Sequence, residues 1–271
     1  MIAKAKPHFK ARYFNPETKP RFWRTFPKSK RADLFRVTES ILLENGFASL
    51  EKTEAWMLKF CRSQSYGYLR ILELEGIGKK KLGRALESIG GEFNSLKGMI
   101  IDIRDNPGGD DDIVLKIVNR FCHKKQVAFR RQTKLGPEEN ELSAIKTWHM
   151  KPRGNAQFRG PVVLLTNDSV FSGGEIFALA MMQLPNVTII GDHTNGILSY
   201  QLERKLANGW KCHLSYQIYY SPDMECYEGK GIPPDIPMLN SKADLTSRVD
   251  PLVLTALKVL DTQLAETTPS T

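Results

Sequence analysis

No apolar run in the 271 residues approaches the ~18 needed to cross a membrane as a helix. The first thirty residues are basic, with prolines and aromatics, and lack the apolar stretch of a secretory signal. The chain is therefore expected either to begin inside the cell or to have lost a leader. Cysteine is scarce. Cys61, Cys122, Cys212 and Cys226 show neither CxxC nor Cys/His ligand spacing. This argues against a zinc site and leaves free thiols as the expectation, with Cys212 and Cys226 the one pair that a hairpin could bring together. No metal ligand set and no cofactor-binding pattern is legible. Internal repeats are absent, and the only compositionally simple segment is the small polar tail Glu266–Thr271.

Hydrophobic residues make up 41% and charged residues 25%, the composition of an ordinary globular chain long enough for one large domain or two small ones. The net charge of +9 suggests a nucleic-acid partner until its location is considered. Residues 1–31 carry ten Lys and Arg against Glu17 alone, leaving 29 basic and 29 acidic residues in the remainder. Aromatics from Phe9 to Phe26 interleave with those charges, as in an arm packed along a domain. The rest of the chain is neutral, so no nucleic-acid binding is expected.

Periodicity divides the chain. Residues 1–63 read as a basic arm with two short helix-like stretches, Ala32–Glu44 and Leu50–Phe60. Residues 64–265 read as one α/β core, and 266–271 as the tail. In the core, Tyr66–Leu74 alternates like a half-buried strand, and Lys79–Ile89 has helical spacing that stops at Gly90-Gly91. Gly98–Ile103 and Pro161–Thr166 are short apolar runs typical of buried parallel strands. Asp112–Phe121 and Gly173–Leu184 read as helices, and Gln126–Arg131 and Asn186–Gly191 as strands. Alternating strands and helices imply a mainly parallel sheet with flanking helices, whose site lies at the carboxyl ends of the strands. Trp210–Tyr220, a turn at Ser221–Asp223 and Cys226–Tyr227 read as a hairpin on a sheet edge, and Pro251–Leu264 as a closing helix.

Two loops sit at such carboxyl ends. In the segment Val170–Glu175 (VFSGGE), Ser172 falls between a buried strand and the positive end of the helix that follows, where developing negative charge is favoured. Gly173 and Gly174 offer bare backbone N–H groups beside its hydroxyl, the donors that an oxyanion site requires. Ser-x-x-Glu is more often a capping box, in which Ser172 and Glu175 satisfy each other's N–H groups. Two glycines in the first turn weaken that reading, since each costs about 1 kcal/mol against alanine in a helix interior. The second loop, Asp105–Gly109 (DNPGG), is a tight turn that faces the same sheet end. Glu228, in Tyr227–Asp235 (YEGKGIPPD), reads on its own as a solvated loop carboxylate.

Taken in order, GMIIDIRDNPGG (98–109), PVVLLTNDSVFSGGEIFALA (161–180), NVTIIGDHTNG (186–196) and YEGKGIPPDI (227–236) resemble the tail-specific, or C-terminal processing, serine peptidase family. The resemblance runs from about Tyr66 to the closing helix. It implies a ClpP/crotonase-like core, acyl-transfer chemistry on extended peptide substrates, and a periplasmic or other extracytoplasmic location; oligomerisation is left open. By position, Ser172 matches the nucleophile, and Gly173 with Gly108 of the 106–109 loop matches the oxyanion donors. Glu228 matches the glutamate of the tricorn-like branch, which uses a Ser-His-Ser-Glu tetrad.

Two departures bear on the base. Ile197 stands where the tail-specific branch has its lysine, and the upstream Asp-Gly-His segment of the tricorn-like branch is not found; Pro7-His8-Phe9 does not match it. A PDZ-like insert is not evident. The chain is therefore expected to begin just after a histidine-bearing segment, with His193 the fallback base and His123, His149 and His213 ordinary residues. The function expected is serine endopeptidase, with poor activity for want of the base. A non-catalytic ligand- or peptide-binding module is the alternative, and an acyl-CoA enzyme of the same fold a weaker one.

Overall fold

A computed structural model describes residues 28–267 apart from 56, 137, 139–140, 206–209, 240–243 and 245–248. The basic arm up to residue 27, with His8, and the end of the polar tail lie outside the described residues. The elements in chain order are α1 (Lys28–Glu44), β1 (Glu51–Lys52), β2 (Leu58–Arg62), β3 (Tyr66–Ile71), α2 (Lys79–Glu92), β4 (Gly98–Asp102), α3 (Asp111–Val118), β5 (Gln126–Thr133), β6 (Lys146–Met150), β7 (Val162–Thr166), α4 (Gly173–Met181), β8 (Val187–Gly191), β9 (Gln201–Lys205), β10 (Lys211–Ser215), β11 (Gln217–Tyr220), β12 (Ile236–Pro237) and α5 (Pro251–Thr267).

Seven strands form the central sheet in the order β1-β2-β3-β4-β7-β8-β12. The run from β3 to β12 is parallel, whereas β1, β2 and β3 pair antiparallel. Both faces are covered. Leu69, Ile71, Met99, Ile101, Val162 and Leu164 point into a core shared with α2, α3 and α4. Tyr68, Ile100, Val163, Leu165 and Ile190 point into a second core under α1 and α5. Alternate residues therefore serve opposite cores, and the strands read as unbroken apolar runs.

Double coverage explains two departures from the sequence reading. Leu50–Phe60 is not helical: its second half enters β2, where Leu58 faces one core and Cys61 the other. Buried positions three apart imitate helical spacing when both faces of a strand are buried. Tyr66–Ile71 is buried from Gly67 onward rather than half-buried, for the same reason.

Helix α2 also runs past Gly90-Gly91 to Glu92. A Cβ on Gly90 would lie 2.7 Å from Asn155 Oδ1, so close packing, not helix termination, asks for a small residue there. The Trp210–Tyr220 segment is split between two small sheets. β10 pairs with β9, and β11 joins β5 and β6, where Tyr219 packs on Phe129 with ring centroids 5.6 Å apart. The central-sheet edge beside β8 is taken by β12 instead. All four cysteines are free thiols.

A charge network closes the second core at the carboxyl ends of β3 and β4. Arg104, 1% exposed, donates to Asp102 at 2.6 Å and to both oxygens of Asp250 at 3.0 and 2.9 Å. Tyr68 donates to Asp102 at 2.7 Å, Arg70 pairs with Asp102 at 2.5 Å, and Thr38 of α1 donates to Asp250 at 2.6 Å. Burial disfavours the Asp102 carboxylate, but the Arg104 and Arg70 guanidiniums outweigh it and hold its pKa well below the ordinary 3.8. Asp250 is held low by Arg104 in the same way against its own burial. The network ties α1 and the start of α5 to the sheet.

Removing one partner of a buried pair leaves a charge uncompensated, which costs about 3–5 kcal/mol. Asp250→Ala is expected to lose that much in urea-unfolding experiments. The stability supplied by depressed carboxylates is complete above their unfolded value, 3.8, and is lost as pH falls below it. Wild type should therefore unfold cooperatively in acid, and Asp250→Ala should show a shallower dependence in a pH series of melting temperatures.

Candidate active site

The loops after β4 and β7 meet at the carboxyl end of the sheet. Asn106, 0% exposed, binds three neighbours: its amide donates to the Ile71 carbonyl at 2.9 Å, its Oδ1 accepts the Gly108 N–H at 2.8 Å, and its carbonyl accepts the Phe171 N–H at 3.0 Å. Asn167 repeats the link from the other loop, accepting the Asp105 N–H at 3.0 Å and donating to the Asp105 carboxylate at 3.1 Å. Asp105 itself sits at φ 62°.

Glycines let the loops touch. A Cβ on Gly108 would lie 2.6 Å from the Phe171 carbonyl and 2.7 Å from the Gly173 nitrogen, and one on Gly173 would lie 2.7 Å from the Gly109 nitrogen. Ser172, Gly173, Gly108 and Gly109 thus form one backbone cradle. The Gly108 N–H is already turned inward to Asn106, a departure from its expected part as a free donor. Among the described residues, the Gly109 and Gly173 N–H groups have no acceptor.

Ser172 stands at the N-terminus of α4 with φ 49° and ψ −122°, a conformation costly for any residue with a Cβ. Its side chain makes no capping hydrogen bond. Its own N–H goes to the Ile197 carbonyl at 2.9 Å. The capping-box reading fails because Glu175 turns away. The Glu175 carboxylate, 0% exposed, accepts from the Thr194 hydroxyl at 2.6 Å and from the N–H groups of Gly196 and Ile197 at 2.6 and 2.7 Å. Burial, the largest influence, pushes its pKa up from 4.5 to about 7 against the pull of those three donors, with Glu228 adding to the rise.

Residues 194–199 form a strap over the cradle, held from its other side by Glu228. One carboxylate oxygen of Glu228 accepts the N–H groups of Leu198 and Ser199 at 2.8 and 3.0 Å, and the Ser215 hydroxyl lies 3.4 Å from the other. Four successive N–H groups, 196 to 199, are therefore shared by two carboxylates. Ser172 binds the strap at Ile197, and Glu228 binds it at the next two residues. The structure thus gathers Ser172, Gly108, Gly173 and Glu228 about one strap.

Of the histidines, His193 directly precedes the strap. His193 is exposed, with Nδ1 3.7 Å from Asp192. His123 contacts the Phe158 carbonyl at 2.9 Å, and His213 is 3.7 Å from Glu203. Sequence reasoning missed Asn106 and Asn167 as the residues that join the loops, and Thr194 as the partner of Glu175. The position of Thr194 in the GDHTNG segment was the available signal.

Comparison with known proteins bears on the family and the fold. The sequence profile of Peptidase family S41 matches residues 65–238. A carboxy-terminal-processing protease of Bartonella bacilliformis is 28% identical over 172 residues, 63% of this chain and 38% of that protein. The carboxy-terminal processing protease CtpA of Bacillus subtilis is 28% identical over 175 residues, 65% of this chain and 35% of its own length. The chain thus spans well under half the length of these two relatives. Among solved structures, one from Parabacteroides merdae aligns with a TM-score of 0.71 at 23% identity, covering 93% of this chain and 77% of that one. The tricorn protease aligns at 0.50 and 18% identity, over 84% of this chain and 19% of that one. At these identities the structural matches establish the fold.

Asn106→Ala would orphan the Gly108 N–H and the Ile71 carbonyl, each at about 1–3 kcal/mol. The expected outcome is a chain that folds with a melting temperature lowered by several degrees and has altered backbone amide signals at Gly108 and Phe171. Calorimetry and two-dimensional NMR of wild type and variant check both.

Proposed function

The chain belongs to Peptidase family S41, and from that premise we propose that it is the core of a serine endopeptidase acting on extended peptide segments, with Ser172 as the nucleophile. The observation that carries the reading is the conformation of Ser172. It is strained, it leaves Oγ without a hydrogen bond among the described residues, and it lies in a cradle with the unclaimed N–H groups of Gly109 and Gly173. Structural duty as a helix cap would have used that hydroxyl.

In this reading Ser172 Oγ attacks the scissile carbonyl carbon and passes its proton to a base. The carbonyl oxygen becomes an oxyanion held by the Gly173 and Gly109 N–H groups at the positive end of α4. Gly108 supplies the close approach of the loops rather than the donor. Collapse of the intermediate breaks the C–N bond, the departing amine takes the proton from the base, and water then hydrolyses the acyl-enzyme. Ile197 cannot serve as the base. The resemblance to the tricorn-like branch points to a histidine oriented by Glu228, with His193 as the competitor. An extracytoplasmic location and a peptide or protein substrate follow from the same resemblance. No helix among the described residues is long and apolar enough to cross a membrane.

A fluorophosphonate probe is expected to label the protein at Ser172. Ser172→Ala should abolish labelling and, wherever a general base is in place, lower peptide turnover by about ten-thousandfold, the scale of loss when one member of a catalytic triad is disabled. The same variant should stay within about 0.5 kcal/mol of wild type, because no cap of 0.5–2 kcal/mol is lost. Peptide turnover undiminished in folded Ser172→Ala would overturn the assignment.

A further inference from the structure

Glu175 is a buried carboxylate that the acyl-transfer steps do not use, and its bonds run in one direction. It holds Gly196 and Ile197 of the strap by their N–H groups and Thr194 by its hydroxyl, while the Ile197 carbonyl accepts the Ser172 N–H. The same peptide chain thus connects the Glu175 carboxylate to the backbone of the strained serine two hydrogen bonds away. The strap has other supports, the next of them the Leu198 N–H, which shares a peptide group with the Ile197 carbonyl and donates to Glu228 at 2.8 Å. Asn195 donates to the Val170 and Asp168 carbonyls, and Gly229 donates to the Gly196 carbonyl. Ile197 itself makes two, from its N–H to Glu175 and from the Ser172 N–H to its carbonyl.

We propose that Glu175, in its ionised form, is a positioning residue that sets the backbone of Ser172 through the strap, so that the nucleophile is correctly aimed only when this carboxylate is charged. The inference rests on the reading of Ser172 as nucleophile and extends it to a control of that site by pH.

The chemistry of the donors gives the direction. An ionised carboxylate offers lone pairs to all three. A protonated one carries a donor of its own into a site already filled with donors. Thr194 Oγ is committed as an acceptor to the Ile232 N–H at 2.7 Å, which limits its freedom to turn round. Protonation therefore loosens the hold on Gly196 or Ile197, and the peptide group that accepts the Ser172 N–H is left anchored on the Glu228 side alone.

The surroundings bear on where this happens. Helix α4 carries no other charge. Around the strap lie Asp168, Asp192, His193, Glu228 and Lys230; α3 brings Asp111, Asp112 and Lys116, and β5 brings Arg130 and Arg131. Of these, Glu228 acts on Glu175 and opposes its ionisation, adding to the effect of burial, and together they bring its pKa near 7. Because the folded pKa lies above the ordinary 4.5, the folded protein holds the extra proton between those values. The strap is expected to tighten as pH rises through about 7.

The test uses the full 271-residue chain. In a pH series of amide spectra, the signals of Gly196, Ile197 and Ser172 should move together with a common inflection near 7. Thr194→Val, which removes one donor to the carboxylate, should shift that inflection upward by roughly half a unit to one unit. In Glu175→Gln the Ser172 amide should lose the inflection. Its fluorophosphonate labelling at pH 8 should fall by about tenfold, and the residual rate should no longer carry the step near 7 seen in wild type.

A Ser172 amide that ignores the titration of Gly196 and Ile197, an inflection unmoved in Thr194→Val, or wild-type labelling with an unchanged pH profile in Glu175→Gln would each overturn the proposal. If Glu175→Gln fails to fold, Thr194→Val alone decides. Amides that titrate together in a protein that no probe labels at any pH would support the positioning role and refute Ser172 as the nucleophile.

Discussion

A guanidinium cannot remain buried without compensation, and that constraint organises the second core of this molecule. Arg104 leaves β4 two residues after Asp102 and is enclosed by Asp102 and Asp250. Because Asp250 precedes α5 and is also held by Thr38 of α1, one buried cation fixes the end of β4, both covering helices and the start of the loop that carries Asn106. The next residues of that loop, Asp105 and Asn106, are bound to the neighbouring loop by Asn167 and Phe171. Displacing Arg104 would move the floor of the candidate site along with the helices.

Strain at the site is sustained by the same logic of satisfied polar groups. Ser172 at φ 49° occupies a backbone region that costs roughly 1–3 kcal/mol, and such conformations persist only when neighbours over-determine them. Here the neighbours are the Ile197 carbonyl above, the Gly108–Gly109 backbone beside it, and the first turn of α4, whose Glu175 and Ile176 N–H groups both go to the Ser172 carbonyl. Two carboxylates, Glu175 from beneath and Glu228 from the far loop, divide the four N–H groups of residues 196–199. The strap is thereby held in a bent path, with Gly196 at φ 80°, that an isolated loop would not keep.

Much of this was legible in the residues. The apolar runs 98–103 and 161–166 became adjacent parallel strands because a sheet covered on both faces requires unbroken hydrophobic sequence. The Gly-rich turns fell at the carboxyl ends of those strands, where a crossover topology exposes them together. Coverage on both faces also misled: Leu58 and Cys61 are three residues apart and buried on opposite sides, a spacing that imitates a helix. Gly90-Gly91 read as a stop, whereas the helix continues and the small size of Gly90 serves packing against Asn155. The segment 210–220 read as a hairpin on a sheet edge, whereas it is divided between two small sheets, because its partners β9 and β5 are chosen by long-range contacts such as Phe129 with Tyr219.

The sequence by itself determined the layered α/β architecture, the family, and which serine and which glycines stand at the two loop ends, since periodicity and turn chemistry are local properties. Only the tertiary structure decided the duties of the polar groups. Local spacing paired Ser172 with Glu175, yet the fold brings residues 194–197 across the helix N-terminus, and three donors there outcompete the serine for the carboxylate. Glu228 likewise reads as a solvated loop residue until the strap 30 residues earlier meets it. Hydrogen bonds between segments distant in sequence carry no local pattern. They exist because a buried backbone group must find a partner, and the partner is chosen by topology.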